Sequence, residues 1–423
     1  MTGKVKLLVV VLAVIVTGGY SVAKDESVKL NLRVSAMKTD CVNVPVCATI
    51  ELPEQFAGMA AEGICVVVRK QGQIGAEVPG QIVTDQLGKT RLWWILPQAK
   101  ANEPSTWVAK LTKTPQQDQK AFTWSDKPGD YLDLLFDGRE VTRYMYAYDA
   151  STPERLQQTN KPYHHVFDLG GEKLITHGPP GGLYPHHRGI FIGWHDVEFE
   201  GKKYDIWGMT GGWRNTLPSV QVHQKFLDKT AGPVLASSKT LVYWNDANDN
   251  TIIAEQRKVT VFAQEAPTIL LLDFCAELKA VAGDVFLNGD PEHGGMQYRP
   301  HNDVAAGSKT AEGGGTATYL FHKDGVDPHK DENLPWTAMS HPLAGQFYSV
   351  QHMDHPDNPR PTFYSAYRNY GRFGAFFKRK LAAGETVKMR YRIWAGQGQM
   401  PPREEMSARY SAFAEPPQVV VLK

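Results

Sequence analysis

The chain has 423 residues, with 46 Lys plus Arg against 45 Asp plus Glu and a formal charge of +1. That balance leaves no electrostatic basis for binding nucleic acid or an anionic membrane, and four cysteines are too few for a disulfide scaffold. Roughly 400 mature residues exceed what one core ordinarily supports, so two domains are expected.

Lys4 and Lys6 precede an uncharged apolar run from Leu7 to Val16, and the small-residue pattern Ser21-Val22-Ala23 stands just before Lys24. This is the layout of an export signal, so residues 1–23 are read as a signal peptide and the product as periplasmic or secreted. The run is shorter than the roughly 20 residues of a membrane span, and nothing later approaches that length. No cysteine flanks the cleavage point, so a soluble product without a lipid anchor is expected; an uncleaved N-terminal anchor is the alternative.

From residue 24 to 115 short β-like runs recur between turns: Leu30 to Val34, Ala48 to Leu52, Ile64 to Val68, Thr90 to Leu96 and Thr106 to Leu111. Their spacing predicts a small N-terminal β-sandwich. An exported chain would allow bridges among its Cys41, Cys47 and Cys65. The polar stretch Thr112 to Lys120 reads as a linker, and a second domain is placed at residues 121–423.

Beyond the linker the predicted strands are Tyr131 to Phe136, Val141 to Tyr146, Gly189 to Glu198, Lys239 to Trp244, Ile252 to Phe262, Thr268 to Leu278, Gly374 to Phe377 and Val387 to Trp394. Cys275, inside one of these runs, reads as a small buried hydrophobe. Helical periodicity is confined to Arg403 to Phe413, so the class is all-β. Some 300 residues of strands without a second linker predict one large β-sandwich.

Five of the 14 histidines fall between His164 and His187, and four glycines and three prolines occupy positions 178 to 189. This reads as a shaped loop feeding a strand. If the chain is extended from His186 onward, His186 and Arg188 share one face with Ile190, Ile192 and Trp194, while His187 shares the other with Phe191, Gly193 and His195. On that reading, adjacent His186 and His187 do not serve one site. A second cluster, Asp290 to Asp303, gathers Glu292, His293, Gln297, Arg299, His301 and Asp303 around two glycines.

Imidazoles that exchange protons near neutral pH, arginine forks and aromatic faces are the parts of a sugar site. Glu292 as base with His186 or His187 as acid is the catalytic assignment, and Arg188 and Arg299 fix substrate. His195, Trp207, His165, Gln297 and His293 complete the substrate-binding set. Trp194, Trp207 and Trp213 either offer stacking faces or fill the core. Hydrolysis would pair Glu292 with Asp303 or Asp290 at roughly 5 to 10 Å; epimerisation and β-elimination fit the same residues. So many histidines also admit a divalent metal, drawn from His187, His195, His165, His177 and His293, although no HExxH is present. The run from His352 to Arg360 reads as a polar loop whose Asp357, Asn358 and Arg360 could reach over a cleft as a lid. No nucleophile elbow or phosphate loop is found.

Taken together, His165, PHHRGIFIGW (Pro185 to Trp194), the Tyr204 to Trp207 tetrad, DPEHGGMQYR (Asp290 to Arg299), HPDNPR (His355 to Arg360) and LAAGETVKMRYRIW (Leu381 to Trp394) resemble the soluble PmoA-like family, from about Asp130 to Gly398. A true membrane monooxygenase subunit needs several long apolar spans, which are missing here. The resemblance implies an exported protein of carbohydrate degradation with a core similar to the large β-sandwich of sugar mutarotases. The positions carried over by motif are His186, His187, Arg188, Trp207 and Arg299; the first domain lies outside the match. The expected function is a carbohydrate-active enzyme; the alternatives are a non-catalytic carbohydrate-binding protein and a metal-dependent oxidoreductase.

Overall fold

A computed structural model of the protein describes residues 27–73, 77–113, 119–178, 182–307 and 316–422. The signal peptide read at residues 1–23 and most of the polar linker lie outside these. The fold is all-β: three antiparallel sheets of seven, eleven and eight strands, with few short helices among the described residues. No helix among them is long and apolar enough to cross a membrane.

The first sheet runs, in spatial order, Cys41–Thr49, Thr90–Ala99, Glu77–Thr84, Cys65–Lys70, Ser105–Thr112, Val28–Val34 and Val419–Leu422. Its strands alternate buried and half-exposed residues, as Thr90–Ala99 shows with Leu92, Trp94 and Leu96 inside, the period-2 pattern of a sheet covered on one side. The sequence suggested two facing sheets here. Instead one sheet curls around its own core of Leu32, Val46, Val68, Trp94 and Leu111, capped by Phe56 and Ile64. Its last strand comes from the far end of the chain, with Val34 opposite Val419 and Asn31 opposite Leu422, so these C-terminal residues join the first sheet rather than the second domain. The helix Arg403–Ala414 fastens the two parts, burying Ala412 in the first core and Met406 and Phe413 against Leu235, Trp336 and Trp394.

The eleven-stranded sheet follows the path Phe363–Tyr364, Phe373–Phe376, Gly294–Tyr298, Ile190–Phe199, Tyr163–Val166, Arg139–Met145, Tyr131–Phe136, Phe122–Lys127. Against it lies the eight-stranded sheet, built on the long strands Ser219–Ala231, Leu235–Asp246, Thr251–Phe262, Thr268–Ala280 and Thr386–Gln397. The two share one core in which Ile190, Ile192, Trp194, Met296 and Tyr298 meet Trp244, Leu272, Phe274 and Ile393, each large side chain contributing about 1.5–3 kcal/mol by leaving water. Trp194 is therefore a core residue, 6.1 Å from Trp244 and donating from Nε1 to the Phe377 carbonyl at 2.9 Å.

All four cysteines are free thiols. The bridges considered for Cys41, Cys47 and Cys65 are not formed, and Cys41 instead donates to the Ala408 carbonyl at 3.4 Å, tying the C-terminal helix to the first sheet. Burial raises the Cys275 thiol to about 11, consistent with an unreactive strand residue.

Candidate functional site

The chemistry gathers on the face of the eleven-stranded sheet turned away from the shared core. Alternation along Ile190–Phe199 sends Ile190, Ile192 and Trp194 inward and leaves Phe191, Gly193 and His195 on the outer side. The neighbouring strand pairs Phe191 with Gln297 and Gly193 with Gly295, so the turn from Glu292 to Arg299 and the PHHRG strand start meet as adjacent strands of one sheet. Two glycines make this possible. A Cβ at Gly193 would overlap the Ile206 carbonyl, and one at Gly295, where φ is +79°, would overlap that of Ala375.

The segment before Ile190 is a turn, not an extended chain, because the His187 amide donates to the Tyr184 carbonyl at 2.9 Å. The predicted separation of His186 from His187 is thereby overturned: their rings lie 4.7 Å apart at 83°. His187 stacks on Tyr184 at 4.8 Å and faces Tyr370 at 6.1 Å. Arg188 spends most of its donors holding the turn, giving Nη1 to the carbonyls of Pro185 and His187 and Nη2 to that of Gln157. His165 is engaged at both ring nitrogens, with Thr176 at 3.2 Å and the Tyr163 hydroxyl at 3.3 Å. Gln297 accepts from Arg299 Nη1 at 2.7 Å and so orients that guanidinium.

Two histidines are each backed by an aspartate. His195 Nδ1 lies 3.1 Å from Asp205, itself fixed by the amides of Trp207 and Gly208 at 3.2 and 2.7 Å. His293 Nδ1 lies 2.9 Å from Asp290, which also caps its own turn through the Glu292 amide and pairs with Arg214 at 2.5 Å. Nδ1–H donation to a carboxylate leaves Nε2 as the acceptor of each ring; His195 Nε2 is buried with no protein partner among the described residues. The rings are 6.1 Å apart, and Trp213, 46 % exposed, sits on both at 4.1 and 4.5 Å. Trp207 is buried beneath, 4.6 Å from Phe191 and 5.4 Å from the Arg299 guanidinium carbon, with Lys161 donating to its carbonyl.

Glu292 is clamped rather than free. It pairs with Arg368 at 2.7 Å and with Arg372. Burial alone would raise its carboxyl, but the hydrogen bond from Tyr367 and the guanidinium groups of Arg372 and Arg368 outweigh that and hold it below the usual range.

A family model described as a family of unknown function (DUF6807) matches residues 131–411. The chain belongs to the DUF6807 family. No curated protein matches it. The DUF6807 match opens on the strand Tyr131–Phe136 and leaves the strands of the first sheet outside, while it contains every residue of the outer-face cluster.

Within the DUF6807 region the cluster is strongly cationic. Lys161, Arg188, Arg299 and Arg372 are almost wholly buried. Burial, then Arg188, pulls the Lys161 ammonium well below its ordinary value; burial, then Lys161, lowers His186 to about 3, and burial, then Arg299, pulls His187 well below the ordinary imidazole value. Burial also lowers His293, against the opposing pull of Asp290, so its imidazole is neutral at pH 7.

All ten predicted site residues thus lie in one outer-face neighbourhood. Sequence reasoning missed Lys161, Asp205, Tyr184, Tyr370 and Arg372. Two of these carried a signal: Asp205 lies inside the Tyr204 to Trp207 tetrad and Tyr184 inside the Gly/Pro loop at 178 to 189. The loop read as a lid is a structural staple: Asn358 and Arg360 both bond Asp354 at 2.6 Å, and Asp354 is fully buried. Among the described residues no three His, Cys, Asp or Glu side chains are placed to hold a metal ion.

Proposed function

We propose that this protein is an exported carbohydrate-active enzyme that moves a proton at a sugar carbon, with the His195–Asp205 and His293–Asp290 pairs as its acid–base groups. The observation that carries this reading is the pair of aspartate-backed imidazoles, 6.1 Å between rings, beneath a half-exposed tryptophan. A neutral imidazole whose Nδ1–H is held by a carboxylate is a competent base, and a second one nearby can return or accept a proton elsewhere on the same substrate. Aromatic rings at the mouth suit the apolar face of a pyranose, and access to the imidazoles requires that Trp213, packed on both, give way.

Epimerisation or β-elimination is favoured over hydrolysis. A glycosidase needs one carboxyl kept protonated. Asp205, Asp290 and Glu292 are instead all held below their ordinary values; burial alone would raise each, but His195, the His293–Arg214 pair and the Tyr367–arginine clamp respectively outweigh it. Glu292 orients Arg372 in this reading. The carbohydrate class follows from the motif resemblance to soluble PmoA-like proteins read in the sequence, and a periplasmic or secreted location from the signal read at residues 1–23.

The test is proton exchange. Oligosaccharides and 3-keto-sugars incubated with the protein in D2O should lose a sugar C–H signal by NMR at neutral pH. His195→Ala and His293→Ala should each slow this by about 100-fold or more. A saccharide that binds with neither exchange nor cleavage would make the protein a carbohydrate-binding one.

A further inference from the structure

Among the described residues, Arg368 gives both Nε and Nη2 to one oxygen of Glu292, and three other arginines spread the same edge over both oxygens of a carboxylate. Arg143, Arg257 and Arg392 each lay Nε and Nη2 against a single carboxylate: Asp133 at 2.6 and 2.9 Å, Glu255 at 2.7 and 2.9 Å, Asp273 at 2.5 and 2.9 Å. This is the planar, two-point match between guanidinium and carboxylate.

Arg299 is 1 % exposed and turns its other edge to the protein, donating from Nη1 to Gln297 Oε1 at 2.7 Å and to the Tyr298 carbonyl at 3.1 Å. Its Nε and Nη2, the edge its counterparts give to carboxylates, have no acceptor among the described residues. The nearby acids are committed elsewhere: Glu292 to Arg368 and Arg372, Asp205 to His195 and two backbone amides. Arginine does not shed its proton in a protein, so the charge stays, and a buried unpaired charge is costly. Burial first, and the like charge of Arg372 second, both weigh against it.

We infer that Arg299 is the receptor for the carboxylate of an acidic saccharide, a uronate, held two-point through Nε and Nη2. The inference rests on the carbohydrate reading and names its substrate class. Beside Arg299 lies a cavity of ≈ 10 Å³ bordered by His177, Tyr184, His187 and Tyr370, about the space of one water-sized group. That is less than a whole carboxylate needs, so the carboxylate reaches Nε and Nη2 only as the half-buried rim of Tyr184, Tyr370 and His186 gives way, and the pyranose ring stays at that rim. Sulfate and phosphate can also accept two-point from a guanidinium, but their four oxygens need more room than a flat carboxylate.

Calorimetric titration of the full chain tests this with glucuronate and galacturonate, the uncharged glucose, galactose and glucuronamide, and acetate. The uronates should bind at least about tenfold more tightly than their uncharged counterparts, as expected for loss of a two-point charged contact. Arg299→Gln should erase that difference, so that the uronates bind no more tightly than their uncharged counterparts. Gln297→Glu, which offers Arg299 an internal carboxylate, should do the same, and it decides the matter if the arginine variant does not fold. Uronate binding no tighter than that of glucuronamide, absence of binding included, overturns the inference while leaving the carbohydrate reading to any neutral sugar that binds. Acetate binding as tightly as the uronates, with no neutral sugar bound, overturns the saccharide part and the carbohydrate reading with it.

Discussion

Replacing Glu292 by Gln separates two roles for that residue. The change keeps the side-chain shape but removes the charge that faces Arg372, 3 % exposed, and Arg368, 49 % exposed; Glu292 itself is 20 % exposed. An exposed pair contributes about 0–1 kcal/mol and breaking a fully buried one costs about 3–5 kcal/mol, so this intermediate case should cost roughly 2 kcal/mol. With an unfolding entropy near 2.1 cal/mol/K per residue over roughly 400 residues, that is a fall in Tm of about 2–3 °C. Calorimetry reads it directly. The carboxyl is held below its ordinary value in the fold, against the opposing effect of burial; the stability it contributes is present above the unfolded pKa near 4.5 and disappears as pH falls through the lower folded value. The wild-type and Glu292→Gln melting curves should therefore converge at acid pH. An unchanged Tm at pH 7 together with loss of proton exchange would refute the clamp and make Glu292 the base.

Burial holds His164, His165 and His352 neutral, each near 3. An unfolded chain protonates them below about pH 6.5, so stability is whole above that pH and falls as pH drops, by roughly 1.4 kcal/mol per unit for each; urea midpoints level from pH 8 to 7 and declining steeply from 6.5 to 4.5 are expected, and a flat profile to pH 5 would contradict it. Gly295→Ala drives a Cβ into the Ala375 carbonyl at a positive φ and should cost more than about 2 kcal/mol, displacing the His293 turn; retention of full stability would show that the strand pair yields. Arg360→Ala leaves Asp354 buried without its cation and should cost about 3 kcal/mol while saccharide affinity stays unchanged; lost affinity at full stability would restore the lid.

Strands with one apolar face were legible: Tyr131–Phe136 and Thr268–Ala280 stand where the sequence places them. Trp336–Leu343 and Gln346–Asp354 were not, because both of their faces are buried and no alternation survives. Ser219–Ala231 escaped because two bulges, at His223/Lys225 and Phe226/Asp228, break its period. The candidate site was legible as two polar clusters, since unpaired charge in a glycine-rich loop has few other uses. Its internal wiring was not. A single turn at Tyr184 to His187 reverses the side-chain directions that an extended chain would give, and the partners Lys161 and Arg372 reach the cluster through chain reversals that carry no local pattern. Arg188, read as a substrate group, turned out to hold backbone carbonyls, a distinction that only donor geometry makes.

The pairing of Val28–Val34 with Val419–Leu422 also orders events in time. During synthesis the first six strands of this sheet, Val28 to Thr112, emerge early, but their border strand Val419–Leu422 is made only about 300 residues later. Domains generally fold as units in the order they leave the ribosome, and here that order is blocked for the opening unit alone. Its exposed border stays open to misplaced partners until Val419–Leu422 arrive, so a chain cut just before Val419 should keep its two larger sheets and aggregate through the first.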